Sequence, residues 1–159
     1  MAVYQVITVP NEVLRAKAQP VTKINAAVLR VLDNMRDTLY AFEGIGLAAP
    51  QIGVSKRMIV IDIGDNLIEL INPEIVHREG KQVNTEGCLS VPGIAGSVTR
   101  SRYLTVKGLN RDGKEVTYEV RDSGLLATVF QHEIDHLDGI LFTDRANETW
   151  EDSPRNRRG

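Results

Sequence analysis

The sequence is short of cysteine, histidine, net charge and long apolar runs, and each shortage excludes something. A single cysteine among 159 residues, Cys88, leaves no internal disulfide; its thiol is either buried and inert or chemically used. A formal net charge of −2 gives no general field for nucleic acid or an anionic membrane, so neither DNA nor membrane is expected as a partner. No apolar segment approaches the roughly 20 residues that cross a bilayer. Met1 to Val6 lack the basic stretch and apolar run of a signal peptide, so a cytoplasmic location is expected. There is no repeat, low-complexity segment or domain linker. With 42% hydrophobic and 25% charged residues, the chain reads as one globular domain with a real core.

Of only three histidines, two stand four residues apart, in Gln131-His132-Glu133-Ile134-Asp135-His136. On a helix that spacing puts both imidazoles on one face, a turn apart, with Glu133 beside the first. This is H-E-x-x-H, a pattern in which two histidines bind a metal and the glutamate is a general base. Alone, it is also compatible with an ordinary amphipathic helix. Leu125, Val129, His132 and His136 form one stripe, however, which places the histidines at the end of an apolar face. A histidine pair there wants a partner. Ser123 is the expected cap of this helix and Gly139 its end. His77, alone among charged neighbours, reads as a surface strand residue.

The remaining elements form a scaffold. Asn11 should cap a short helical turn. From Ile24, apolar residues at spacings of three and four through Phe42 predict a long amphipathic helix ending before Gly44. Gly44 to Gly53 reads as a glycine-rich connection lacking the Lys-Ser/Thr of a phosphate loop. Met58–Ile63 and Leu67–Pro73 are expected strands, with shorter ones at 74–78 and 81–83. Pro92-Gly93 is an expected stop. Tyr103–Leu109 and Glu115–Val120 flank Asn110-Arg111-Asp112-Gly113, a hairpin signal. Residues 1–146 are taken as the domain and 147–159 as a polar, poorly ordered tail.

Two histidines need at least one more protein ligand, with a position left open if the metal is catalytic. In the H-E-x-x-H-x-x-G-x-x-H arrangement Gly139 fits, but the last position is Phe142, which cannot ligate. A downstream glutamate would have to be Glu148 or Glu151, after the strand-like Ile140-Leu141-Phe142 and in the expected tail. The soft ligand left is Cys88, whose thiolate suits zinc, iron or nickel.

Three segments now carry a resemblance. Gly44-Ile45-Gly46-Leu47-Ala48-Ala49-Pro50-Gln51, Glu86-Gly87-Cys88-Leu89-Ser90 and Gln131-His132-Glu133-Ile134-Asp135-His136 are similar, in order and approximate spacing, to the three motifs of peptide deformylases. The resemblance runs from the N-terminus to about Arg145. It implies an α+β single domain with the H-E-x-x-H helix surrounded by antiparallel sheets, and hydrolysis of the N-formyl group from the initiator methionine of new proteins. It implies Cys88, His132 and His136 as metal ligands and Glu133 as the acid–base group. The Gln51 amide and the Leu89 N–H are then the donors to the formyl oxygen. Ile45, Gly46 and Gly87 pair with an extended peptide, and Ile45, Leu125, Val129 and the edge of His132 form the methionine pocket. The implied physiological ion is Fe(II), replaceable by zinc, nickel or cobalt, although spacing alone suggests zinc. Glu86 is expected to support its loop, and Asp135 to be an ion-pair residue near the ligands. Two departures stand out. The arginine that many bacterial members carry after the E-G-C-L-S motif is missing from Pro92-Gly93-Ile94-Ala95-Gly96, with Arg100 as a nearby source of charge. The C-terminus is also short, leaving Arg155, Arg157 and Arg158 for any transient ribosome contact. A metallopeptidase and a silent descendant that binds peptide or metal are the alternatives. The first lacks its downstream ligand, and a structural site would need neither Glu133 nor Gln51.

Overall fold

The computed structural model describes residues 2–152. It contains eight named strands: β1 (Gly46–Ala48), β2 (Met58–Ile61), β3 (Ile68–Glu79), β4 (Gln82–Cys88), β5 (Val91–Arg100), β6 (Tyr103–Leu109), β7 (Glu115–Val120) and β8 (Ala146–Glu151). They form a five-stranded sheet in the order β1-β2-β3-β6-β7 and a three-stranded sheet in the order β4-β5-β8. Every pairing between these strands is antiparallel. The helices are α1 (Ala26–Ala41), α2 (Gly124–Leu137) and the short α3 (Phe142–Arg145). This is the α+β domain that the resemblance implies.

Local chemistry accounts for the ends of the elements. The Asn11 side chain accepts from Val13 N and caps a 3₁₀ turn at Glu12–Leu14. Asn25 caps α1 by accepting from Val28 N, and Ser123 caps α2 by accepting from Leu126 N. The face of α1 formed by Leu32, Met35 and Leu39 is fully buried. Each of these side chains contributes about 1.5–3 kcal/mol by leaving water.

β2 explains how the layers stack. Alternate strand residues point to opposite faces, and all four residues of β2 are buried. Met58 and Val60 join Leu32, Met35, Leu39 and Ile71 in one core, on the α1 side. Ile59 and Ile61 join Leu70, Leu104, Phe130 and Ile134 in a second core, on the α2 side. A run of four apolar residues is what a strand covered on both faces requires. A third cluster, with Cys88, Val91, Val98, Leu141 and Phe142, belongs to the smaller sheet.

Four expectations need correction. The strands read at 67–73 and 74–78 are one strand, β3, whose register shifts near Asn72 and Val76 absorb the interruption. Pro92-Gly93 does not stop the chain; β5 runs through it, and Gly93 takes a positive φ of 80°. Phe142 begins a helical turn and is not strand. Residues 147–151, read as part of a tail, are strand: β8 continues to Glu151 along β5, pairing Trp150 with Ala95. The rest of the expected tail, with Arg155, Arg157 and Arg158, lies outside the described residues.

Candidate active site

From Ala127 to Leu137 every residue of α2 is buried. A helix enclosed all round can keep polar residues only if each finds a partner, and this helix carries Gln131, His132, Glu133, Asp135 and His136. Gln131 is satisfied locally, giving its Nε2 to Ala127 O and Ser101 O and accepting from Ser101 N. The others build a site.

His132 and His136 stand one turn apart and meet edge to face, their ring centroids 5.2 Å from each other. The Cys88 thiol arrives from the end of β4, with Sγ 3.3 Å from His136 Nε2. One ligand atom from each of Cys88, His132 and His136 lies within 4.8 Å of the other two, and all three residues are buried. They are the only group of three or more potential ligands so gathered among the described residues. His132 Nδ1 lies 2.9 Å from Glu86 Oε1, so its N–H donates to that carboxylate and Nε2 keeps its lone pair. That Nε2 is buried with no hydrogen-bond partner. An orphaned buried nitrogen is costly unless something meets it. A thiolate with two imidazoles is a donor set for a divalent ion of the iron-to-zinc series, and these residues fit one.

The support behind His132 is an ion chain, buried at Glu86, Arg100 and Asp135 and exposed at Arg145. Arg100 gives Glu86 a two-pronged contact, 2.6 and 2.9 Å, and reaches Asp135 at 2.9 Å. Asp135 also accepts two contacts from Arg145, at 2.6 and 3.1 Å. Burial works against ionised Glu86, but Arg100 and His132 prevail and bring its pKa down to about 2. Glu86 and Asp135 therefore do what was expected of them. Arg100 does not: it is committed to these two acids inside the protein and is no stand-in for the missing substrate arginine.

Glu133 is nearly inaccessible, and burial lifts its pKa to about 7. Its Oε1 has no partner, and its other oxygen lies over Gly46. Gln51 comes from a 3₁₀ turn, Ala49–Ile52, that follows β1. Its Oε1 accepts from Ala48 N, which aims Nε2 at Ser90 Oγ (3.1 Å) and Cys88 Sγ (3.6 Å). Leu89 follows Cys88 in the turn between β4 and β5. Beside these groups lies a cavity of about 310 Å³, walled by Ile45, Gly87, Leu125, Val129, His132 and Glu133. The residues expected at the metal, the base and the methionine pocket thus share one locality. His77 stays outside it, exposed and hydrogen-bonded to Glu79.

A sequence model of the polypeptide deformylase family matches residues 3–151. The chain belongs to that family. It is 67% identical over 149 residues to a peptide deformylase of Syntrophomonas wolfei, covering 94% of this chain and 97% of that one. A peptide deformylase of Carboxydothermus hydrogenoformans is 54% identical over 147 residues, 92% of this chain and 95% of that one. Among solved structures, the peptide deformylase of Thermotoga maritima superposes with a TM-score of 0.89 at 40% identity, over 93% of this chain and all of that one. That of Synechococcus elongatus, in complex with actinonin, gives 0.87 at 38%, over 91% of this chain and 79% of that one. The chain is thus a hydrolase of the deformylase family, which removes the N-formyl group from nascent peptides.

Reading the sequence missed several residues that the structure gathers around this candidate site. Ser90 receives the Gln51 amide, Thr85 and Thr128 line the cavity, and Phe142 stacks on His132 with centroids 6.0 Å apart. Arg145 closes the ion chain. The available signal was the pair of acids, Glu86 and Asp135, carried inside two of the three motif segments, since buried carboxylates call for cations.

Proposed function

We propose that the chain hydrolyses the formyl amide of N-formyl-methionyl peptides, releasing formate, with one divalent metal held by Cys88, His132 and His136. The supporting observation is the convergence of three buried donor atoms beside a carboxylate whose pKa burial lifts toward neutrality. A metal bound there supplies Lewis acidity, acidifying a water molecule and polarising the formyl carbonyl. Glu133 takes the proton of the attacking water and delivers it to the departing α-amine, a task suited to a pKa near the working pH. The Gln51 amide and the Leu89 backbone N–H donate to the formyl oxygen as it gains charge. The anchoring of Gln51 Oε1 by Ala48 supports this role, because it fixes the direction of Nε2 before substrate arrives. β1 and β4 are sheet edges, and Ile45, Gly46 and Gly87 offer backbone to an extended peptide by strand addition. The methionine side chain enters the cavity between Ile45, Leu125, Val129 and His132.

Fe(II) is the ion proposed for the protein at work, on the family resemblance; zinc, nickel and cobalt suit the same donors. The proposed place of work is the cytoplasm, where formylated nascent chains arise. No helix among the described residues is long and apolar enough to cross a membrane. The test is formate release from a short formyl-Met peptide by protein prepared without oxygen, with bound metal assayed alongside. Formate in proportion to metal, internal peptide bonds intact, is the expected result. Bound metal without formate, or cleavage inside the peptide, would overturn the reading.

A further inference from the structure

A second cavity, about 260 Å³, opens on a different face of α2 and shares no lining residue with the substrate cleft. Gln131 and Asp135 form its helical wall, and Arg78, Lys81, Arg100 and Arg145 converge on it from β3, the β3–β4 turn, β5 and α3. Four cations thus face one carboxylate. Asp135 is already engaged by Arg100 and Arg145, and Arg100 is shared with Glu86. Arg78 has only the neutral Gln131 side chain, and Lys81 has no ion pair or hydrogen bond among the described residues. Gly80, Thr99 and Ser101 complete the lining.

Positive charge is therefore left over inside a concavity, where neighbouring low-dielectric walls concentrate its field. Planar guanidinium groups match tetrahedral oxyanions by paired N–H donors, and a lysine ammonium adds a point charge. The space holds such an anion with part of its water shell and is small beside the roughly 300–1,000 Å³ of sites for larger organic ligands. A nucleic-acid backbone would call for an extended stripe of cations, not a pit. We propose that this cavity binds a dissolved oxyanion of the phosphate class, inorganic phosphate or a small phosphate monoester, held chiefly by Arg78, Lys81 and Arg145.

The experiment titrates the metal-loaded full chain calorimetrically with inorganic phosphate, and separately with O-phosphoserine, at ionic strength held constant with chloride. The expected result is saturable binding near one equivalent, with a dissociation constant on the order of 1 mM or tighter. The Arg78→Ala/Lys81→Ala variant should bind at least tenfold more weakly. Both residues are exposed, so this variant should keep its melting temperature and its formate release. Phosphate binding without the monoester would restrict the site to the free ion. Failure to saturate, or equal binding by the double variant, would overturn the proposal. So would binding that survives in the double variant but disappears in metal-free Cys88→Ala, which would assign the anion to the metal centre. Tight, salt-sensitive binding of a short RNA with no response to phosphate would overturn it in favour of a polyanion surface.

Discussion

The carboxylate of Glu133 rests on the bare backbone of Gly46: a Cβ built there would lie 2.6 Å from Glu133 Oε2 and 2.8 Å from Val129 Cγ1. Both distances are below any tolerable contact, so Gly46→Ala must push the carboxylate, the helix or the strand aside. Misplacing a reacting group by about 1 Å can cost a factor of about 10² in rate. The variant is expected to hold its metal and lose formate release by about that factor. Unchanged kinetics would show that the fit of Glu133 on Gly46 has no catalytic consequence.

Removing functional groups should separate binding from turnover. Cys88→Ala should lose stoichiometric metal, and metal retained at full occupancy would sink the ligand assignment. Glu133→Ala should keep its metal while turnover falls by about 10²–10⁴-fold. Gln51→Ala should lose about 10² in kcat with metal content unchanged. Metal analysis and formate release on the same preparations distinguish the three.

Glu86 touches no proposed reacting atom, yet it joins His132 to Arg100. Glu86→Ala leaves Arg100 partly unpaired in the interior and frees the His132 ring. Breaking a buried ion pair from one side costs about 3–5 kcal/mol, and losing a ligand's supporting carboxylate lowers metal affinity about 10–100-fold. Urea denaturation of the metal-free forms measures the first effect and chelator competition the second. A loss of stability with metal affinity intact would make Glu86 a packing residue only.

Acid should reveal a surface network far from the site. Arg111 bridges Asp33 and Glu69, and its hydrogen bond holds Asp33 below the ordinary carboxylate range. A depressed folded pKa means the contribution is present above the unfolded value of about 3.9 and is lost as pH falls through the folded value. Asp33→Asn should therefore melt below the parent protein at pH 7. The gap should close as the pH drops below the unfolded value, and narrow in high salt. An equal gap at all pH values would contradict the linkage.

What could be read in the sequence was local. The His132–His136 pair with Glu133 beside it, the asparagine and serine caps and the 103–120 hairpin each announce themselves within a few residues. β8 could not be seen because Ala146 to Glu151 shows no buried alternation; the strand exists through backbone pairing with β5, to which side-chain hydropathy is blind. Pro92 looked like a stop, yet it falls between the Cys88–Val91 and Glu86–Gly96 pairs, at a register shift where irregular pairing accommodates it. Arg100 was misjudged because its partners are distant in sequence: Glu86 lies across the β4–β5 hairpin and Asp135 on a helix reached only through tertiary packing.

α2 packs in the core beneath the five-stranded sheet, whereas Cys88 belongs to the cluster of the three-stranded one. A metal shared by His132, His136 and Cys88 is therefore a tether between two halves of the molecule. Stripping the ion should loosen the seam between the sheets while leaving each intact. Amide hydrogen exchange should quicken first around Cys88 and the start of β5, and β2, enclosed between two cores, should be among the last to respond. In such a protein, losing the metal silences the chemistry and unfastens the cleft in the same event.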